Sequence, residues 1–224
     1  MTSPEVRLAL ANLNVVARGR TLAVGLSLPD VDVFHTDLRA HRQAAGSTFA
    51  AWPPPSDPYD SVVVRMHPAA ERTRMLLALA SSVAREGARV TLIGHNDAGA
   101  RSAAKHVESM IGPASVLDAR YHCRAFIATA AAPGSSSLRS WRTSFDFEDL
   151  TIVSYPGLFS HGWVDDGTRL LLSALPSPSG ARALDVGCGS GVIGAWLGAR
   201  GVAVDAVDVD AFALQACSET APRA

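Results

Sequence analysis

Lysine is almost missing from these 224 residues: Lys105 stands alone against nineteen arginines. Cysteine is scarce as well. Three of them, Cys123, Cys188 and Cys217, are too widely spaced for a disulfide framework or a zinc site. The seven histidines show no H-x-x-x-H or similar spacing, so no metal site is expected. No window approaches the ~18 uninterrupted apolar residues of a membrane span. The opening Met-Thr-Ser-Pro-Glu lacks the charged-then-apolar layout of a signal peptide. These absences lead to the expectation of a protein of the reducing cytoplasm, with neither metal nor membrane as partner.

What is present is a core's worth of hydrophobic residues, 48% of the chain, in a length that suits one large domain or two small ones. The net charge of −1 hides a division. Between positions 62 and 142 there are eleven basic and five acidic residues; from 143 onward there are four basic and ten acidic. One region can therefore meet phosphates while the other does chemistry, although no basic run is dense enough to be a footprint by itself.

Along the chain, Ser3-Pro4-Glu5 signals a helix start. Residues 21–26 and 31–35 predict two strands joined by a turn at Pro29-Asp30. A helix is predicted from Thr36-Asp37 to about Gly46, then a proline-rich surface connection over 52–58. Residues 61–65 predict a strand, and 69–86 a helix closed by Gly87, with Met75, Leu76, Leu79 and Val83 on one stripe. A strand over 90–93, a loop over 94–99, a helix over 98–110 and strands over 116–118, 123–129 and 150–154 follow. Alternation of strand and helix implies α/β architecture. Beyond it, Trp163–Thr168 leads into an amphipathic helix over 169–175, and 177–180 predicts a linker.

The densest signal is Asp185-Val-Gly187-Cys-Gly189-Ser-Gly191, which predicts a strand, a glycine turn and a helix, with a second strand ending at Asp208. Glycine is required where the backbone turns sharply at a strand end and a ligand lies against it. Gly189-Ser-Gly191-Val-Ile-Gly194 also satisfies G-x-G-x-x-G, so dinucleotide binding competes. Electrostatics separates the two. A pyrophosphate over this turn would face Asp185 as a like charge, whereas S-adenosylmethionine (SAM) brings a sulfonium and an ammonium. Asp208, where an acid accepts ribose hydroxyls, suits both. Asp165, Gly167 and Thr168 either flank the cofactor or begin a helix, with Asp165 as its cap. Cys188 has no paired base and reads as a small turn filler.

These blocks, with Tyr155-Pro-Gly-Leu-Phe-Ser160, Val164-Asp165-x-Gly167-Thr168, Gly94-x-Asn96-x-x-Gly99-x-Arg101 and Ala119-Arg-x-x-Cys123, resemble the bacterial ribosomal RNA guanine-N2 methyltransferases of the RsmC/RlmG type. The resemblance implies two tandem methyltransferase-like, Rossmann-like domains. The first, over 1–150, would be a degenerate copy without a cofactor site that assists RNA binding. The second, over 151–224, would be the first part of a class I SAM-methyltransferase domain. SAM would be held by Asp185, Gly187, Gly189, Gly191 and Asp208, with Asp165, Gly167 and Thr168, and the partner would be ribosomal RNA or a ribosomal subunit. The family's lysines after the 62–66 strand are replaced here by His67-Pro-Ala-Ala-Glu-Arg-Thr-Arg74. Its Asn-Pro-Pro-Phe motif, which holds the target amine, does not occur, and only two strands and two helices can be built from Ala183 onward. The expectation is a truncated methyltransferase, inactive by itself and without assignable catalytic residues, or alternatively a non-catalytic RNA-binding module. A nicotinamide enzyme is the third reading.

Overall fold

The computed structural model describes residues 2–54, 56–175 and 182–220, so the linker expected at 177–180 lies outside the described residues. The chain forms two compact units, Met1–Ser140 and Trp141–Ala224. Among the described residues no helix is long and apolar enough to cross a membrane.

The first unit opens as its sequence dictates. Ser3 caps α1 (Pro4–Ala11), its Oγ accepting the Val6 amide at 3.4 Å, and Pro4 occupies a position whose amide needs no helical partner. After α2 (Leu13–Val16) come β1 (Thr21–Val24) and β2 (Asp32–His35). The pair is parallel, with Ala23 opposite Val33 and Val24 opposite Phe34, so the turn between them is not a hairpin. The connection over 25–31 instead folds back through the core, burying Leu26 and Leu28. Asp37 caps α3 (Leu38–Arg42) by accepting the amides of Arg39 at 2.8 Å and Ala40 at 3.1 Å.

Next come β3 (Thr48–Phe49), β4 (Tyr59–Arg65), α4 (Ala70–Val83) and β5 (Ala84–His95). The helix predicted to run to Gly87 stops at Val83, because Ala84 already pairs with Tyr59 of β4. Sheet pairing overrides the helical preference of Arg85-Glu86. Gly87 lies within β5 at φ +76°, where the register with β4 slips, and its amide donates to the Ala130 carbonyl at 2.9 Å. The helix predicted over 98–110 is likewise shorter: two 3-10 turns, Asn96–Ala98 and Ala100–Ser102, precede α5 (Ala104–Met110). β6 (Ser115–Asp118) and β7 (Cys123–Thr129) complete the unit.

These seven strands make one sheet in the order β3-β2-β1-β4-β5-β7-β6. The first five are parallel, and β7 runs antiparallel to both β5 and β6. This is the doubly wound arrangement, with a switch point between β1 and β4. Val62, Val63 and Val64 of β4 are wholly buried, as a central parallel strand covered on both faces requires.

The second unit begins with β8 (Thr143–Phe147), a strand that the sequence reading missed, paired antiparallel with β9 (Leu150–Ser154). A division at 150/151 would therefore cut next to the turn of this hairpin. α6 (Asp166–Ala174), β10 (Arg182–Val186), α7 (Val192–Gly198), β11 (Ala203–Val207) and α8 (Ala211–Thr220) follow. Phe147 and Ile152 of the hairpin share one apolar cluster with Val164, Leu172, Val192, Ala195 and Trp196. Glu148, in the hairpin turn, accepts Trp196 Nε1 and Arg200 from the α7 side, each at 3.2 Å. α8 is fixed to β9 by Thr220, whose Oγ1 accepts the Val153 amide at 2.8 Å. Among the described residues β10 pairs only with β11, and Leu184 and Val186 on it are exposed.

The core of the first unit supplies a stability test. Leu77 on α4 is fully buried, so Leu77→Ala is expected to cost about 2–5 kcal/mol. Urea unfolding should show it as a lower midpoint with an unchanged slope.

Candidate cofactor site

β10 and β11 run parallel in a register that sets Val186 opposite Val207, so the glycine turn and Asp208 leave the sheet at the same end. The Val207 carbonyl accepts the amides of Gly187 at 2.8 Å and Cys188 at 3.1 Å. This doubled bond halts the first strand and starts the turn. Gly187, Gly189 and Gly191 all have positive φ, +78°, +53° and +81°, which L-residues with a Cβ rarely adopt. Gly191 is the tightest position, since a Cβ there would sit 2.9 Å from Cys217 Sγ and 3.0 Å from Cys217 Cα on α8.

Asp208 is held by backbone. Its Oδ2 accepts the Gly189 amide at 3.0 Å and its Oδ1 the Asp210 amide at 2.9 Å. Each carboxylate oxygen retains accepting capacity for a further donor, and the side chain is already oriented. Asp185 is the opposite case: its Oδ2 is buried without a hydrogen-bond partner. Burial pushes the Asp185 carboxyl above the ordinary aspartate range, the nearby Gly194 amide partly offsets this, and the Asp208 charge adds to it. A Cβ at Gly194 would stand 3.7 Å from Asp185 Oδ2, an ordinary contact. Its sign in the sequence was the third glycine of G-x-G-x-x-G, where it counted toward the dinucleotide alternative. Here its amide lies beside the acid.

The remaining expected residues form the start of α6. Asp165 caps it, Oδ1 accepting the Thr168 amide at 3.0 Å and Oδ2 the Thr168 hydroxyl at 2.7 Å, and the Thr168 hydroxyl bond holds its carboxyl below the usual range. Gly167 and Thr168 lie in the first turn of that helix. Val164, which precedes the cap, belongs to the same buried cluster as Val192, which follows Gly191. The two segments thus share one support. Tyr155 fixes α8: its hydroxyl donates to Glu219 at 2.8 Å, and Arg142 holds the other carboxylate oxygen at 2.7 Å.

The first unit repeats this construction with different side chains. The Gly25 amide donates to the Phe34 carbonyl at 2.9 Å, as Gly187 does to Val207. By that register Ala23 stands where the second unit has Asp185, and His35 where it has Asp208. Ala23 is fully buried, His35 nearly so, and Ser27 hydrogen-bonds to His35 Nε2 at 3.2 Å. Burial keeps the His35 imidazole below its usual range. Leu26 and Leu28 fill the space beyond β1 with core.

The family Methyltransferase small domain matches residues 149–224, and Methyltransferase small domain N-terminal matches 28–145. Ribosomal RNA small subunit methyltransferase C of Alcanivorax borkumensis is 32% identical over 225 aligned positions, covering 97% of this chain and 69% of that protein. The chain belongs to the ribosomal RNA small subunit methyltransferase C family. The Chromohalobacter salexigens member is 40% identical over 149 positions, covering 65% of this chain and 44% of that protein. The chain thus spans between 44% and 69% of the length of these two family members. In fold it matches the T. thermophilus 16S rRNA methyltransferase RsmC, solved with AdoMet and guanosine, at a TM-score of 0.82, 24% identity, 97% coverage of this chain and 66% of that one. The class I methyltransferase fold, preceded by the family's N-terminal domain, is the architecture of this chain.

Two substitutions test the geometry of the paired turns. Gly191→Ala meets both a positive φ and the Cys217 contact, and is expected to cost about 2 kcal/mol or more, read as a lower thermal midpoint. Ala23→Asp restores an acid at the matching position of the first unit, but in a filled core. An unpaired buried carboxylate there should cost about 3–5 kcal/mol; a variant as stable as the parent would show that this crevice is open.

Proposed function

We propose that the second unit binds SAM at the glycine turn, and that the chain serves methyl transfer from SAM to the N2 amine of a guanine in small-subunit ribosomal RNA. One observation carries the cofactor reading: the buried, partnerless Oδ2 of Asp185 at the head of the turn. An orphaned carboxylate oxygen calls for a donor that carries positive charge, which SAM has and a pyrophosphate lacks. Asp208, oriented by two backbone amides, is the acceptor for ribose hydroxyls. The positive-φ glycines keep side chains away from the path of the ligand. Asp165, Gly167 and Thr168 enter as the capped start of α6, which shares a core cluster with α7. When bound, SAM supplies the electrophilic methyl group.

Family membership supports the RNA substrate and the guanine amine as acceptor. The Asn-Pro-Pro-Phe segment that would align that amine is not among the 224 residues. The expected behaviour of these residues by themselves is therefore cofactor binding without methyl transfer.

Calorimetric titration with SAM tests the reading. Asp185→Asn should weaken binding by tenfold to a hundredfold, the range of about 1.5–3 kcal/mol for a charge-assisted hydrogen bond. A nicotinamide dinucleotide that binds better after this substitution would overturn it. Acidity gives a second check. Because burial raises the Asp185 pKa, the carboxylate is lost at a higher pH than an ordinary aspartate, and SAM affinity should fall as pH drops through that raised value. Binding of the cationic ligand favours the ionised form, so protons are released on binding in this range, and Asp185→Asn should abolish the release.

The alternative, an RNA-binding module without chemistry, draws on the first unit. Its basic excess is smaller in space than in sequence: Arg72 is buried, and Arg65, Arg74, Arg85 and Arg120 pair with Glu5, Glu71, Asp60 and Asp118. Arg101 and Lys105, four residues apart and both exposed, make no ion pair among the described residues and leave two neighbouring cations for phosphate. Arg101→Ala with Lys105→Ala should lower RNA affinity and flatten its salt dependence by roughly two charges. Unchanged affinity would remove these residues from the RNA surface.

A further inference from the structure

The cofactor site leaves two thiols unused. Cys188 lies in the turn between Gly187 and Gly189 and is buried, while Cys217 lies on α8 and is partly exposed. Far apart in sequence, they meet because α8 packs onto the turn: Cys217 abuts Gly191, whose amide in turn donates to the Cys188 carbonyl at 2.8 Å. The Cys188 side chain lies beside that of Cys217, its thiol donating a long hydrogen bond to the Gly189 carbonyl at 3.9 Å. Cys217 also lines a cavity of about 360 Å³ with Gly191, Gly194, Leu214 and Ser218, large enough to admit a small oxidant.

The two sulfurs differ in chemical state. The neighbouring Cys188 thiol lowers the pKa of Cys217, against the opposing effects of burial and of Asp185 and Asp208. The Cys217 sulfur beside it and burial push the Cys188 thiol up. Cys217 is thus the nucleophile, being accessible and favoured as thiolate, and Cys188 is the adjacent partner in reserve. Cys123, in the first unit, is buried and its thiol is pushed up to about 11.

We propose that Cys188 and Cys217 are a redox-active dithiol that closes to a disulfide on exposure to hydrogen peroxide. The Cys217 thiolate attacks one peroxide oxygen, the O–O bond breaks, and the departing hydroxide takes up a proton as water. Cys188 sulfur then attacks the Cys217 sulfenic sulfur, the S–O bond breaks, and the leaving hydroxide collects the Cys188 proton as a second water. The two thiols lose two electrons and two protons, and one peroxide becomes two waters. Bond formation draws the sulfurs inside van der Waals contact. Cys188 cannot follow freely, because its own amide and that of Gly187 are held on the Val207 carbonyl. The turn is therefore pulled toward α8, and SAM affinity falls; this consequence, unlike the bond itself, rests on the cofactor reading above.

The test uses the full 224-residue chain, treated with hydrogen peroxide, alkylated and digested with trypsin without reduction. The expected product joins fragment 183–200, which carries Cys188, to fragment 201–223, which carries Cys217, and is undone by dithiothreitol. Cys123 should remain alkylated, and Cys217→Ser should give no such product. Accumulation of Cys217 sulfinic acid with Cys188 still alkylated, or a cross-link through Cys123, overturns the proposal. SAM titration of reduced and oxidised chain then reads the consequence, expected as a loss of about tenfold or more that dithiothreitol restores and Cys217→Ser abolishes. Equal affinity in both states overturns the regulatory effect. Absence of SAM binding by the reduced chain overturns the cofactor reading instead, and the cross-link still decides the dithiol.

Discussion

One carbonyl oxygen organises the second unit. Val207 ends β11 and accepts the amides of both Gly187 and Cys188. That doubled hydrogen bond stops β10 one residue after Asp185, turns the chain through three positive-φ glycines and launches α7. It also fixes where Asp208 emerges, so the two acids are positioned by the backbone of a single parallel pair. Little else is needed to place them, because backbone bonds at a strand end leave few conformations to the residues that follow.

The first unit shows the same constraint with different side chains. Gly25 donates to Phe34 as Gly187 donates to Val207, yet Ala23 and His35 occupy the positions of the two acids. Past the bond, the second unit continues with glycines and the first with Leu26 and Leu28. An apolar run at a sheet switch point closes the crevice, since each buried leucine gains about 1.5–3 kcal/mol from leaving water. The doubly wound topology survives because it depends on strand order and backbone pairing, while the crevice depends on a handful of side chains.

Support for the turn comes from places that look unrelated to it. The hairpin of β8 and β9 braces α7 through Glu148 and an apolar cluster, and Tyr155 with Arg142 braces α8 through Glu219. α8 in turn brings Cys217 against Gly191. The block around Tyr155 thus has a mechanical explanation: it holds the helix that backs the glycine turn. The Asp165 cap sets the start of α6, whose Leu172 packs in the same cluster.

Local signals were enough for much of this. The caps at Ser3 and Asp37, the β-branched run of β4 and the glycine spacing from Gly187 to Gly191 each encode their own geometry, because backbone dihedrals and capping bonds involve residues only a few positions apart. Asp185 stood out likewise as an acid two residues before a turn glycine. The early end of α4 was not legible, since it is set by pairing with Tyr59 on another strand. β8 was missed for a similar reason: Thr143–Phe147 becomes a strand only against β9. The parallel sense of β1 and β2, the ion pairs that consume much of the basic excess, and the meeting of Cys188 with Cys217 all depend on distant segments. Sequence determined the turn and its charge. Packing decided which of two similar turns stays open, because burial is a property of neighbours that only the folded chain brings together.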